Sequence, residues 1–155
     1  MFNHALLEYL NKNWNDLAPH LLFYNNSIPQ QYHQEIARRI KKEYLKQVGF
    51  STTSRDEILA MMGDRLFVAP AVNTAFLASQ KRKEPVYFYL FRQKNSVAIS
   101  SFHFGIETVV GVSHADDAAL IFNFGGDTEK HKISNEDKEM GNVLINFIIH
   151  FAKTG

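Results

Sequence analysis

Pro85-Val86-Tyr87-Phe88-Tyr89-Leu90-Phe91 sets the expected fold. Six β-prone residues follow a proline without any polar alternation, the pattern of a strand covered on both faces, as in a parallel sheet. Such a strand needs paired neighbours and a helix layer on each side. Moving outward from it, the chain offers helices readily and strands poorly.

Upstream, Ser27-Ile28-Pro29-Gln30 has the form of a capping box with Pro in the first turn. Ile28, Tyr32, Ile36, Ile40, Tyr44 and Val48 follow at steps of four, an amphipathic helix closed by Gly49. Its other face carries Arg38, Arg39, Lys41, Lys42 and Lys46, read as a solvated helix face. A second box, Ser54-Arg55-Asp56-Glu57, opens a helix through Ile58, Leu59, Met61 and Met62. Pro70 is expected to interrupt it, with a helical continuation from Ala71 to Gln80. Lys81-Arg82-Lys83 ends that stretch, with cations where the carbonyl end of the helix dipole favours them. Downstream, residues 92–111 form a long connection with weak alternation around Val97 and Ile99. Ser134 and Asp137 then cap a last helix whose Met140, Val143, Leu144, Phe147, Ile148 and Phe151 share one face, with Gly155 as its stop. One strong strand without partners leaves most of a sheet missing. Either weak strands near Val97 and Val109 complete a small sheet, or the chain is the tail of a larger α/β protein.

Composition limits the function classes. The 155 residues are 45% hydrophobic and 21% charged, which excludes a disordered chain. Seventeen Lys and Arg against sixteen Asp and Glu give a net charge of +1, without the broad basic field of a nucleic-acid or anionic-membrane binder. The longest apolar stretch, Val143 to Ala152, is broken by Asn146 and His150 and falls short of the roughly 18 to 20 residues of a spanning helix. Met1 to Leu10 lacks a basic leader, a long apolar core and a small-residue cleavage site, so no secretory signal is expected in this stretch. With no cysteine, disulfides and thiolate metal sites are excluded. Asn25-Asn26-Ser27 is a glycosylation sequon, meaningful in a secreted protein. Neither repeats nor a second domain are evident.

Chemistry concentrates in Gly111-Val112-Ser113-His114-Ala115-Asp116-Asp117, a loop following the apolar run. Loops at strand ends are where open α/β sheets place their sites. His114 with Asp116 and Asp117 has three readings: a general base with its orienting acid, a metal pair, or a capped turn. A metal site would need further ligands, and His103 is the nearest candidate, without ligand spacing around it. No metal and no cofactor are therefore expected. Gly49-Phe50-Ser51 and Gly111-Val112-Ser113 each begin a nucleophile-elbow pattern, but Thr53 and Ala115 stand where its closing glycine belongs. No nucleophile is evident.

Met62-Gly63-Asp64-Arg65-Leu66-Phe67, then Pro85 to Phe91, then Gly111 to Asp117 resemble the type-B carboxylesterases, with insect carboxylesterases and juvenile hormone esterases most similar. Asp137-Lys138-Glu139-Met140 and the run from Asn146 to Gly155 resemble that family's late helix and the Thr-Gly turn ending it. The resemblance implies residues 1–155 of an α/β fold, the C-terminal segment of an α/β-hydrolase: mostly helices, with one or a few strands of the central sheet. Val86 to Phe91 would be a late strand and His114 the triad histidine. In such hydrolases the triad runs Ser, acid, His along the chain, so the serine elbow and the acid loop would lie upstream of this chain. Phe102, Phe104 and Ile106 would line the substrate pocket, and Asp64 would make a structural polar contact. Asp116 and Asp117 are expected to cap the turn from Ala118 to Phe122.

The implied function is that of a serine ester hydrolase acting on small apolar esters. This chain would supply only the triad histidine and be inactive alone, a truncated piece whose partner is the missing N-terminal part of the same fold. Full-length relatives would be secreted. The rival reading is a non-catalytic cholinesterase-like adhesion protein or truncated pseudoenzyme, against which His114 itself argues. A third is a fragment that folds poorly because its strand edge and the apolar faces of three helices lack partners.

Overall fold

A computed structural model describes residues 3–96, 98–99, 111–122 and 133–155. The described residues form six α-helices in two compact units, 1–88 and 89–155. No strand occurs among them.

The first unit begins with α1 (His4–Leu21), a helix that the sequence reading does not mark. Its signals are nonetheless present: Asn3 accepts a hydrogen bond from the Ala5 N–H at 2.9 Å as the N-cap, and Leu7, Trp14 and Ala18 fall on one buried face. The box at Ser27 does not cap a helix. The Ser27 hydroxyl donates backward to the Tyr24 carbonyl at 3.4 Å, and Gln30–Tyr32 forms one tight 3₁₀ turn before α2 (His33–Leu45) starts. The helix also ends earlier than its periodicity indicates. Lys46 takes φ 51° and Gly49 φ 69°, so the chain leaves the helix before Val48, which is exposed.

Two side chains tie α1 to α2 and to the turn beyond it. The buried Trp14 Nε1–H donates to the Ala37 carbonyl at 2.8 Å, and its ring meets Phe50 at 4.9 Å between centroids. Asn11 pairs with both backbone groups of Phe50: Nδ2 donates to the carbonyl at 2.7 Å and Oδ1 accepts the N–H at 2.9 Å. A Cβ on Gly49 would lie 2.6 Å from that Oδ1, so this turn needs glycine for both its φ and the approach of Asn11. Leu7, Trp14, Ala18, Leu22, Tyr24, Ala37, Leu45, Phe50 and Met61 make one continuous apolar core.

α3 (Arg55–Gly63) starts where expected, but its cap works differently. The buried Ser54 hydroxyl turns back, accepting the Ser51 N–H at 2.8 Å and donating to the Ser51 carbonyl at 3.1 Å. Pro70 does not end the helical run. A π-turn at Asp64–Val68 precedes it, and Pro70 then sits in the first turn of α4 (Ala69–Lys81). The wider π-turn gives the ring room where its missing N–H and its bulk would disrupt a regular ladder. Arg65, in that turn, donates to the Leu22 carbonyl at 2.7 Å and the Phe23 carbonyl at 3.1 Å, satisfying acceptors left at the end of α1.

Val86 to Phe91 is the main correction to the sequence reading: it is irregular and forms no strand among the described residues, with Tyr87, Phe88, Tyr89 and Leu90 exposed. β-propensity gives a strand only when a neighbour completes the hydrogen bonds and covers the faces, and the described residues supply none. The boundary between the two units falls within this stretch. The weak alternation at Val97 and Val109 lies outside the described residues.

In the second unit α5 (Asp116–Phe122) packs on α6 (Asn135–Thr154). A Cβ on Gly141 would stand 2.9 Å from the Leu120 carbonyl oxygen, so glycine sets how closely these helices approach. The Ser134 hydroxyl accepts the Asp137 N–H at 3.1 Å, the cap that the sequence marks. Leu144 is buried on the apolar face of α6, whereas Val143, Phe147, Ile148 and Phe151 are exposed.

Candidate functional site

The loop Gly111–Ala115 is organised by the start of α5. Ser113-His114-Ala115-Asp116 has the spacing of a capping box, and its reciprocal arm forms: the Asp116 carboxylate accepts the Ser113 N–H at 2.8 Å and the Ser113 hydroxyl at 2.9 Å. The same carboxylate accepts the Ile99 N–H at 3.0 Å, and the Asp116 side chain is fully buried. Asp116 thus reaches back to the loop instead of capping the turn after it. Its neighbour Asp117 accepts from the Ala118 N–H at 2.9 Å and from the Tyr89 hydroxyl at 3.0 Å. Burial, with Asp117 as hydrogen-bond acceptor, raises the Tyr89 pKa. The Tyr89 ring meets Phe147 edge-on at 6.1 Å.

Between the two ends of that box lie His114, which is exposed, and Ala115, whose φ of 69° is left-handed. An alanine in this region is strained, and such backbone persists only where the surroundings fix it. Here they do. Buried Asn95 donates from Nδ2 to the Asp116 carbonyl at 2.8 Å, holding the anchor from behind. Asn95 Oδ1 is buried without a hydrogen-bond partner among the described residues.

A parallel arrangement starts α6. Asp137 Oδ2 accepts the Ser96 N–H at 2.8 Å and the Ser96 hydroxyl, and Oδ1 accepts from Gln93 Nε2 at 3.5 Å. The Ser96 hydroxyl oxygen accepts the Ser134 N–H at 3.1 Å. Two buried aspartates at helix starts therefore hold the segment before the loop, Asp137 at Gln93 and Ser96 and Asp116 at Ile99.

The remaining expected residues fare differently. Phe102, Phe104, Ile106 and His103 lie outside the described residues. Among the described residues no group of His, Asp and Glu could hold a metal ion. Asp64 makes its polar contact, accepting the Tyr44 hydroxyl at 2.7 Å, but at an exposed position. That bond, with burial, raises the Tyr44 pKa. Asn25 is half-buried in the turn after α1, its Nδ2 donating to Asn26 Oδ1 at 3.1 Å. Of the basic face of α2, Arg38 and Arg39 pair with Glu35 and hold its carboxyl below the usual range. Lys41 stands 5.7 Å from the Phe50 ring centroid and donates to the Asn11 carbonyl at 3.3 Å, and burial lowers its pKa.

The model of the carboxylesterase family matches residues 2–155. The chain belongs to the carboxylesterase family. A carboxylic ester hydrolase of Bombus ignitus is 34% identical over 155 residues, covering 99% of this chain and 27% of that protein. Venom carboxylesterase-6 of Apis mellifera is 35% identical over 159 residues, with the same two coverages. Carboxylesterase 5A of Homo sapiens is 31% identical over 154 residues, 96% of this chain and 25% of the relative. The chain thus spans about a quarter of the length of these relatives. Carboxylesterases have the α/β-hydrolase fold, and the helices seen here are consistent with a partial segment of it. No helix among the described residues is long and apolar enough to cross a membrane.

Proposed function

We propose that these residues are the C-terminal portion of a serine carboxylic-ester hydrolase, acting on small apolar esters, in which His114 is the triad histidine. The observation that carries this reading is an exposed imidazole on a loop held in strained, fixed backbone by a buried carboxylate, in a chain that the carboxylesterase family matches from end to end. In the complete enzyme a neutral His114 accepts the serine proton as the ester carbonyl is attacked and returns it to the leaving alcohol. An acid from an upstream loop orients the ring. The serine elbow and the oxyanion donors also come from upstream.

Residues 1–155 alone are then inactive, and the rest of the same fold is their partner. Exposed Tyr87 to Leu90 and the exposed face of α6 support this, as apolar surfaces that a central sheet and its neighbours would cover. Phe102, Phe104 and Ile106 line the pocket in this reading. The venom relative supports secretion, and in a secreted protein Asn25 is the site of a glycan.

A short-chain ester assay on this chain and on the product extended upstream, each beside a His114→Ala control, tests the proposal. Turnover should appear only in the extended form with His114 intact. An upstream region lacking a G-x-S-x-G elbow, or carrying it with the serine replaced, would shift the reading to the non-catalytic relatives.

A further inference from the structure

We propose that Asp116 is the positioning residue for the His114 imidazole, fixing the turn that carries it by binding Ser113 on one side and anchoring its own side to Ile99. This rests on the reading of His114 as the triad base. Asp116 is wholly buried, and a carboxylate is an expensive group to bury unless its oxygens are satisfied. It is satisfied by three donors: the Ser113 N–H, the Ser113 hydroxyl and the Ile99 N–H. An asparagine offers one acceptor oxygen and an apolar residue none, so only a carboxylate engages all three in this geometry.

The consequence falls on the two residues between the ends of the clamp. His114 follows Ser113 directly, and Ala115, left-handed at φ 69°, precedes Asp116. Pinning both ends of a four-residue turn determines the dihedrals inside it and holds Ala115 in its strained well. The tie to Ile99 anchors the turn to a segment 17 residues away, and Asn95 stops the anchor itself from rotating by holding its carbonyl. Asp117 bonds to the Tyr89 hydroxyl and the Ala118 N–H. Misplacing a catalytic group by about 1 Å can cost about a hundredfold in rate, which gives such a clamp its value.

The test uses this whole chain, isotope-labelled, and reads amide hydrogen exchange together with the His114 ring signal by NMR. Asp116→Ala should speed exchange at the Ser113 and Ile99 amides at least tenfold and broaden or double the His114 Cε1–H signal. The Leu144 amide in α6 should change less than twofold. Asp116→Asn, which keeps one acceptor, should lie between. Should Asp116→Ala fail to fold, Asp116→Asn and Ser113→Ala carry the measurement, the latter removing one bond of the three and giving the same local pattern at smaller amplitude. Unchanged exchange and an unchanged ring signal in both milder variants would overturn the proposal. So would equal acceleration at Leu144, which would make Asp116 a general prop of the unit. None of these readouts requires ester turnover, so failure here removes the clamp without deciding whether His114 is catalytic, and loss of the catalytic reading leaves these exchange rates unaltered.

Discussion

The two units solve the same problem with different chemistry. Residues 1–88 hold together by apolar burial, with Trp14 set between α2 and Phe50 and a continuous core around it. In residues 89–155 the fully described interior is smaller, and buried Asp116, Asp137 and Asn95 organise it through hydrogen bonds to backbone. Apolar packing is tolerant of side-chain shape but non-directional. Charged hydrogen bonds contribute less area and fix direction, which suits the proposed role of this unit in presenting the His114 imidazole.

The comparison can be broken at its strongest point first. Trp14→Ala should destabilise the first unit by about 3–5 kcal/mol, combining a large cavity with a lost buried hydrogen bond. Peptide-resolved hydrogen exchange should show the loss across α1 and α2. Asp137→Ala comes next, at about 2–3 kcal/mol, because it removes the charged hydrogen bonds to the Ser96 N–H and hydroxyl. Its effect should concentrate around Gln93 to Ser96 and the start of α6, with Asp137→Asn milder by the same readout. Gly141→Ala should cost about 1–3 kcal/mol in a denaturant titration despite the better helix propensity of alanine, since its Cβ meets the Leu120 carbonyl. A stabilised Gly141→Ala variant would show that α5 and α6 can part without loss.

Much of this was legible in sequence where a local signal sufficed. The Ser134 cap, the start of α3 and the end of α4 at Lys81 are set by residues within one turn of where they act. The failures have non-local causes. Val86 to Phe91 has strand propensity, but pairing depends on a neighbour that the described residues do not provide. The Ser27 box is overridden by a backward bond to Tyr24. At the site, the sequence reading has Asp116 cap the turn after it, whereas its bonds to Ile99 and from Asn95 span 17 and 21 residues and leave no periodic trace. α1 shows the opposite case: Leu7, Trp14 and Ala18 carry a readable pattern, obscured when the N-terminus is considered only as a leader.

The smallest expected effect concerns pH. Tyr24 is raised by burial, Tyr44 chiefly by its bond to Asp64, and Tyr89 by burial. Folded pKa values above the unfolded value of about 10 mean that unfolding releases protons above that pH, so stability is full below it and falls as pH rises. An alkaline melting series should show this decline, and Tyr44→Phe should reduce the share arising in the first unit while leaving that of Tyr24.

The most direct measurement is kcat/KM for a short-chain ester in the upstream-extended protein, with and without His114→Ala. A triad histidine predicts a loss of at least about a thousandfold. Turnover unchanged by that substitution would contradict the assignment of His114 as the catalytic base.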